Sequence, residues 1–326
     1  MRIVMVSDFY PPAAGGVEHH VHNLSHALAR RGHQVTVATL LWPDASVAEC
    51  DGEVQVRRIR TTSQRIHSLF ATDRMWAPPV PDPEAVGSLR SIIREARPDV
   101  VHGHDWLTRS FLPLKRWSRA ALVVTLHYFV QTCAKMSLMY RPRPCSGPSP
   151  GKCIACAANH YGLLTGPAIT AGNWLGSRAE RALVDRFIAV SQDVARGNNL
   201  DPQGQSIDVI PNFIADDDPA GQALDDAYLR QLPSEEFILF VGDLRIEKGV
   251  SVLLEAYAGL DDAPPLVLIG KAWPDAPSAF PPRVHALGEW PRAAVLAAWE
   301  RCLFGVVPSV WPEPFGMVLI EDWRHS

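Results

Sequence analysis

The chain has 326 residues, 47% hydrophobic and 20% charged, with 22 Gly and 28 Pro. At roughly 150 residues per domain, that length asks for one large or two medium domains with packed cores, which excludes wholesale disorder. A formal net charge of -4 excludes the basic surplus of a general nucleic-acid or anionic-lipid binder.

The first segment, Met1-Arg2-Ile3-Val4-Met5-Val6-Ser7-Asp8, turns polar too soon for a signal peptide and reads as a buried strand. Short β-branched runs predict strands at residues 3–6, 34–39, 54–59, 100–102, 122–126, 187–190 and 207–210. A second series follows at 237–241, 266–269, 284–287 and 303–307. Continuous apolar strands between amphipathic helical stretches indicate parallel sheets covered on both faces, and two such series imply an α/β protein of two Rossmann-like, doubly wound domains. The expected division is 1–212, a linker 213–235 carrying Asp216-Asp217-Asp218-Pro219, and 236–326. The chain stops at His325-Ser326 in what reads as mid-helix, so the second domain is expected to be incomplete. No stretch approaches the roughly 18 uninterrupted apolar residues of a membrane span, and the expected location is the cytoplasm.

Four places carry chemistry. In Pro11-Pro12-Ala13-Ala14-Gly15-Gly16-Val17-Glu18, a Gly pair opens a helix, which lets backbone N–H groups approach an anion. Val17, Val21, Leu24 and Leu28 form that helix's apolar stripe and Gly32 ends it. A tight turn with no ligand explains the Gly pair equally, and the third Gly of a dinucleotide fingerprint is missing. The same helix carries His19, His20, His22 and His26. The pair His22/His26 has the i, i+4 spacing of zinc ligands, but no Glu follows His22, and His19, His22 and His26 fall opposite the stripe, so these histidines are expected to be solvated.

The second place is Val241-Gly242-Asp243-Leu244-Arg245-Ile246-Glu247-Lys248-Gly249, a strand, turn and helix start at the edge where open α/β sheets bind ligands. Arg245 and Lys248 there can neutralise a diphosphate, and a solvated charged turn is the plain alternative. The third runs from Pro308 to Glu321. Eight helical steps would separate Glu313 and Glu321 by up to about 12 Å, too far for the paired carboxylates of a retaining glycosidase at about 5–5.5 Å. The two would instead grip separate ends of one extended ligand.

The fourth is Cys133, Cys145, Cys153 and Cys156, within an insertion at 133–156 whose Cys-x-x-Cys ending is a common zinc half-site. A structural zinc and free or redox thiols both remain open. Cys50 and Cys302 are isolated and are expected to be packing residues. His102 and His104 flank Gly103 after a strand and suit a structural or acceptor-side role, with metal binding as the alternative. Arg109, Lys115, Arg116 and Arg119 with Trp106 and Trp117 are readable as an acceptor or lipid-surface edge or as an ordinary amphipathic helix.

In order and combination, these pieces resemble glycosyltransferase family 4. They include the Pro-Pro-x-x-Gly-Gly-x-Glu turn, Arg31-Gly32-His33, Pro98-Asp99-Val100-Val101-His102-Gly103-His104 and Thr125-Leu126-His127. Ala189-Val190-Ser191, Val209-Ile210-Pro211-Asn212, Glu247-Lys248-Gly249 and the spaced glutamates around Phe315-Gly316 complete them. The resemblance implies a GT-B fold, with an acceptor-side domain and a nucleotide-sugar domain facing a cleft. It implies a retaining transfer of a glycosyl group from a nucleoside-diphosphate sugar to an acceptor hydroxyl, on a small-molecule, lipid-linked or glycan acceptor. Peripheral membrane contact stays open and no nucleic-acid partner is expected.

By the same resemblance, Gly15 and Gly16 meet the donor's phosphates or sugar, His127 lies near the transferred sugar, and Lys248 binds the diphosphate. Arg245 substitutes for an Arg that relatives carry at the position of Asp243. Glu313 contacts sugar hydroxyls, Phe315 and Gly316 line the donor site, and Glu321 meets the ribose. No catalytic cofactor is implied. The Asp216-Asp217-Asp218 run contains the Asp-x-Asp pattern of metal-dependent relatives, but its linker position reads as an acidic connection. The early stop leaves a catalytically impaired or non-catalytic remnant, acting as a binding module, as the contrasting expectation.

Overall fold

The computed structural model describes residues 1–13, 15–65, 76–141, 143–200, 206–214, 225–318 and 320. They fall into two compact units: Met1–Leu138 with Cys145–Phe213, and Met139–Pro144 with the chain from Ile214 onward.

The first unit begins with β1 (Arg2–Ser7), α1 (Gly16–Arg30), β2 (Gln34–Leu40), β3 (Ala48–Asp51), β4 (Val54–Ile59), α2 (Thr62–Arg65) and α3 (Pro83–Ala96). Next come β5 (Val100–Gly103), a 3-10 helix Trp106–Leu114, α4 (Lys115–Ser118) and β6 (Ala121–Leu126). The hairpin β7 (Met139–Tyr140) and β8 (Arg143–Pro144) groups with the second unit. The first unit closes with α5 (Pro150–Tyr161), α6 (Thr165–Leu183), β9 (Arg186–Ala189), α7 (Gln192–Gly197) and β10 (Ile207–Val209). Its eight strands run in the order β10-β9-β6-β5-β1-β2-β4-β3, all parallel except the β3/β4 pair. Every strand predicted for this unit is present, with ends shifted by a residue or two. β3 was not anticipated, because an exposed, antiparallel edge strand needs no apolar run.

Helix α1 buries the predicted stripe: Val17 and Val21 lie in the core with Ile3, Met5, Val35 and Val37, and Leu24 and Leu28 pack against it. Helix α3 begins at a side-chain cap. Asp82 caps it by accepting from the Glu84 and Ala85 N–H groups at 3.1 Å each, and Pro83 occupies the first turn, where its missing N–H costs nothing.

The second unit contains α8 (Asp226–Leu229), β11 (Ile238–Val241), a 3-10 turn Ile246–Lys248, α9 (Val250–Ala258), β12 (Leu266–Ile269), β13 (Val284–Gly288), α10 (Arg292–Trp299) and β14 (Phe304–Gly305). The strand order is β13-β12-β11-β14, all parallel. Alternate residues split between two cores. Ile238, Phe240, Leu266 and Leu268 meet Val250, Leu254 and Tyr257 on one face, while Leu239, Val267 and Ile269 meet Trp290, Ala294, Ala298 and Trp299 on the other. That double coverage is why these strands read as unbroken apolar runs. Tyr228 and Leu232, within the stretch expected to be linker, pack on the second of these cores.

Among the described residues, no helix is long and apolar enough to cross a membrane.

Candidate functional site

In the second unit, the loops after the carboxyl ends of the neighbouring strands β12, β11 and β14 carry the polar groups. This is where ligands of open parallel sheets bind. Gly249 ends the 3-10 turn in the left-handed region (φ 75°), and a Cβ there would collide with the Pro308 carbonyl. The close approach lets the Val310 and Trp311 N–H groups donate to the Glu247 carbonyl at 3.1 and 3.3 Å. The segment after β14 is thereby fastened to the turn that bears Lys248.

Lys248 Nζ donates to both oxygens of Glu313, at 3.2 and 2.9 Å, and stands 5.0 Å above the Trp311 ring. Ser309 Oγ and Trp311 Nε1 also donate to Glu313 Oε2, at 2.9 and 2.7 Å. One carboxylate therefore gathers an ammonium, a hydroxyl and an indole N–H. The turn's other cation, Arg245, lies over the Trp273 ring at 4.9 Å and 3.4 Å from Glu247. Lys271 covers the same ring at 5.1 Å. The arrangement offers partly exposed cations for an anion and a polar carboxylate edge for hydroxyl groups. Phe315 and Gly316 follow on the same segment, half-buried. Glu321 lies outside the described residues, as do Asp216, Asp217 and Asp218.

Ser309, Trp311, Lys271 and Trp273 are members that the sequence did not assign. Ser309 and Trp311 flank Glu313 at four and two residues, and a donor-only indole beside a carboxylate was the available signal.

In the first unit, the adjacent strands β1, β5 and β6 deliver Gly15-Gly16, His102/His104 and His127 to the same sheet edge. Gly16 opens α1, whose N-terminus has no side-chain cap. His104 Nδ1 and His127 Nε2 are 3.1 Å apart, one donating to the other according to tautomer, and His102 Nε2 meets Thr125 Oγ1 at 2.7 Å. His20 is buried rather than solvated, its ring 4.9 Å from that of His127 and 5.5 Å from that of Phe213. His22 and His26 are half-buried and converge on Asp51, so the expectation of solvated histidines on α1 is corrected. The amphipathic pattern missed this because a polar helix face can meet an edge strand instead of water.

Burial holds His20 down to about 4 and His102 to about 3; burial, then neighbouring imidazoles, holds His104 and His127 well below the ordinary histidine range. The folded unit thus refuses protons that the unfolded chain accepts. The histidine contribution to stability is whole above about pH 6.5 and is lost as pH falls toward 4 and 3. Asp8 acts oppositely. Burial, then the Asp105 charge, push it up to about 8 against N–H donors from Leu107 and Ala77, so its contribution is lost as pH rises toward 8. Several histidines outweigh one carboxyl on the acid side. Urea titrations from pH 4 to 9 are expected to show maximal stability near pH 6–7, with His20 alone accounting for a fall of about 3 kcal/mol by pH 4. A flat acid limb would show that these imidazoles are not neutral in the fold.

The residues read as an acceptor or lipid edge separate. Arg109 and Trp106 are buried, whereas Trp117 is exposed. Lys115 Nζ donates to the Ala120 carbonyl and to Asp185 Oδ2, both at 2.7 Å. No surface edge joins them, because Arg109 points into the core.

Cys133, Cys145, Cys153 and Cys156 form no disulfide among the described residues. Ser149 N–H donates to Cys153 Sγ at 3.3 Å, and Cys145 Sγ donates to the Gly147 carbonyl at 3.4 Å. Burial raises the Cys133 and Cys156 thiols above the ordinary range. Among the described residues, no three of the sulfurs lie within 4.8 Å of one another.

Comparison with known proteins gives a consistent picture. A family model described as Glycosyltransferase Family 4 matches residues 14–218, and one described as Glycosyl transferases group 1 matches residues 227–322. A glycogen synthase of Mycobacterium tuberculosis is 28% identical over 346 residues, covering 98% of this chain and 75% of the relative. A D-inositol 3-phosphate glycosyltransferase of Xylanimonas cellulosilytica is 27% identical, covering 94% of this chain and 73% of the relative. Among solved structures, a sucrose-phosphate synthase from Thermosynechococcus elongatus superposes with a TM-score of 0.69 at 18% identity, covering 100% of this chain and 79% of that one. The catalytic domain of starch synthase IV from Arabidopsis thaliana, bound to ADP and acarbose, gives 0.60 at 17% identity, covering 99% and 81%. Anabaena HepE in complex with UDP-glucose gives 0.58 at 14% identity, covering 99% and 78%. Such structural likenesses establish the fold, two Rossmann-like units of the GT-B type.

Proposed function

The chain belongs to glycosyltransferase family 4, and from that membership we propose that it transfers a glycosyl group from a nucleoside-diphosphate sugar to an acceptor hydroxyl with retention of configuration. The observation that carries this reading is the Lys248–Glu313 constellation at the carboxyl edge of the second sheet. It pairs a cation suited to a diphosphate with a carboxylate suited to sugar hydroxyls. The ADP and UDP-glucose held by the starch synthase and by HepE support the same donor class.

The step breaks the bond between the anomeric carbon and the diphosphate oxygen and leaves negative charge on the departing group. Lys248 and Arg245 stabilise that charge, which develops in the transition state and therefore lowers the barrier rather than only the binding energy. Glu313, released from Lys248 as the diphosphate takes the ammonium, accepts hydrogen bonds from sugar hydroxyls. Ser309 and Trp311 hold its carboxylate in place during that exchange. Phe315 and Gly316 line the donor, and Glu321 meets the ribose. In the first unit, the helix N-terminus at Gly15-Gly16 suits phosphate or sugar oxygens, and the neutral His127 suits a sugar hydroxyl. The acceptor attacks on the face from which the diphosphate leaves, and a diphosphate oxygen takes the hydroxyl proton. No metal enters this step.

The test is a panel of nucleotide sugars followed by thermal shift, release of nucleoside diphosphate and product mass. One donor is expected to raise the melting temperature and to be consumed, with the anomeric configuration of the product unchanged by NMR. Failure of every donor to bind would overturn the reading. Binding without turnover would instead favour a binding module.

A further inference from the structure

Helix α1 and edge strand β3 bring three ligand-type side chains together on the first unit, none of them among the groups assigned to transfer. His22 and His26, one helical turn apart, place their Nε2 atoms 3.3 and 3.1 Å from Asp51 Oδ2. Their rings lie 4.3 Å apart. His26 Nε2 is buried at this short approach to the carboxylate. The same Asp51 oxygen already accepts the Tyr10 hydroxyl at 2.8 Å. Two imidazole nitrogens and a phenol hydroxyl thus converge on one carboxylate oxygen.

The three ligand atoms lie close enough together to hold one ion. A tetrahedral zinc with bonds of about 2.0–2.1 Å holds neighbouring donor atoms about 3.3 Å apart. The outer contacts also fit. His22 Nδ1 lies 3.2 Å from Asn23 Oδ1, which suits an Nδ1–H and leaves the Nε2 lone pair for an ion. Tyr10 orients the carboxylate in turn. By contrast, in the buried group of His20, His104 and His127, the outer nitrogens of His104 and His127 have no partner to orient them. The side chains of His22, His26 and Asp51 are 29%, 22% and 36% exposed, which leaves a coordination position open to water.

We propose that His22, His26 and Asp51 form a binding site for a divalent transition-metal ion of the zinc type, which pins α1 to β3. Two imidazoles and one carboxylate suit zinc and its borderline-soft neighbours rather than magnesium or calcium, which take oxygen ligands. The mechanical consequence falls on β3. It is the antiparallel edge strand, exposed along most of its length, and the ion would hold its last residue to the helix.

The test uses the full chain stripped of metal by chelator, titrated with zinc against a chromophoric competitor and, in parallel, with cobalt(II). The wild type is expected to bind one more zinc than the His22→Gln/His26→Gln variant. Cobalt should give the visible bands of a tetrahedral nitrogen/oxygen site without the near-ultraviolet thiolate charge transfer that cysteine ligation would produce. Asp51→Asn is expected to weaken zinc at least tenfold, and Tyr10→Phe about tenfold. Zinc should slow amide exchange at residues 48–51 in the wild type only. His285→Ala, an exposed histidine of the second unit, serves as the control and should change nothing. Circular dichroism checks that each variant is folded, and the single variants His22→Gln and His26→Gln stand in should the double variant unfold. Equal zinc stoichiometry and affinity in wild type and histidine variants, or a cobalt spectrum carrying only the thiolate signature, overturns the proposal.

Discussion

Lys248→Ala is expected to lower the rate of donor cleavage about 10²–10³-fold, the loss typical of removing one preorganised group that stabilises developing negative charge. The melting temperature should barely move. Lys248 is partly exposed, and after its removal Glu313 keeps the hydrogen bonds from Ser309 and Trp311, so no buried carboxylate is stranded. The loss should fall on kcat at least as much as on KM, because charge on the diphosphate grows as the glycosidic bond breaks. Lys248→Arg should recover only part of it, since a planar guanidinium does not reproduce the ammonium's fit beneath Glu313 and over Trp311. Steady-state kinetics with whichever donor the panel identifies makes the measurement. Rates and donor affinity within twofold of wild type would remove Lys248 from the chemistry.

Arg109→Met is expected to destabilise the first unit by about 3–5 kcal/mol. The guanidinium is fully buried and spends its donors on Glu180 at 3.1 Å, the Pro79 carbonyl at 2.8 Å, Asn173 Oδ1 at 2.9 Å and Ser177 Oγ at 3.0 Å. Gln131 Nε2 adds a bond to Glu180 at 2.7 Å. Gly176 makes room for the group, since a Cβ there would meet the Pro79 carbonyl and the guanidinium itself. Removing the arginine leaves the Glu180 charge buried beside a single side-chain amide, and that stranded charge, more than the lost pair, sets the cost. At 2–4 °C per kcal/mol for a unit of this size, the melting temperature should fall by roughly 6–20 °C. Arg109→Met/Glu180→Leu should recover much of the loss, because an apolar pair of similar volume tolerates burial. Urea unfolding of both variants reads the difference, and a double variant no better than the single one would show that Glu180 is not the stranded group.

The apolar strands and the stripe of α1 were legible in the sequence because each rests on neighbours in the chain. Lys248 and Glu313 were named from their motifs, and the reading that both address one ligand is consistent with their direct contact. The particulars of that contact were not legible. The left-handed turn at Gly249 is local, but what it admits, the Pro308 carbonyl and behind it Ser309 and Trp311, comes from the loop after β14, far along the chain. Arg109 shows the same limit more sharply. Its sequence surroundings suit an exposed edge equally well, and only the arrival of Glu180, Asn173 and Ser177 from α6 makes its burial tolerable.

Alone, the order of residues therefore determined the parallel strands of two sheets and the polar turns at their carboxyl edges, but not the antiparallel edge strand β3. Strand burial and helix capping are decided within a few residues, by side-chain size, alternation and hydrogen-bonding capacity. Tertiary structure decided the fate of the charged and titratable groups: Arg109 in the core, His20 neutral against His127, His22 and His26 turned toward Asp51. A charge or an imidazole is stable in either water or the interior, according to which partner reaches it. Those partners come from strands and helices far apart in sequence, brought side by side only by the order in which the sheet is wound.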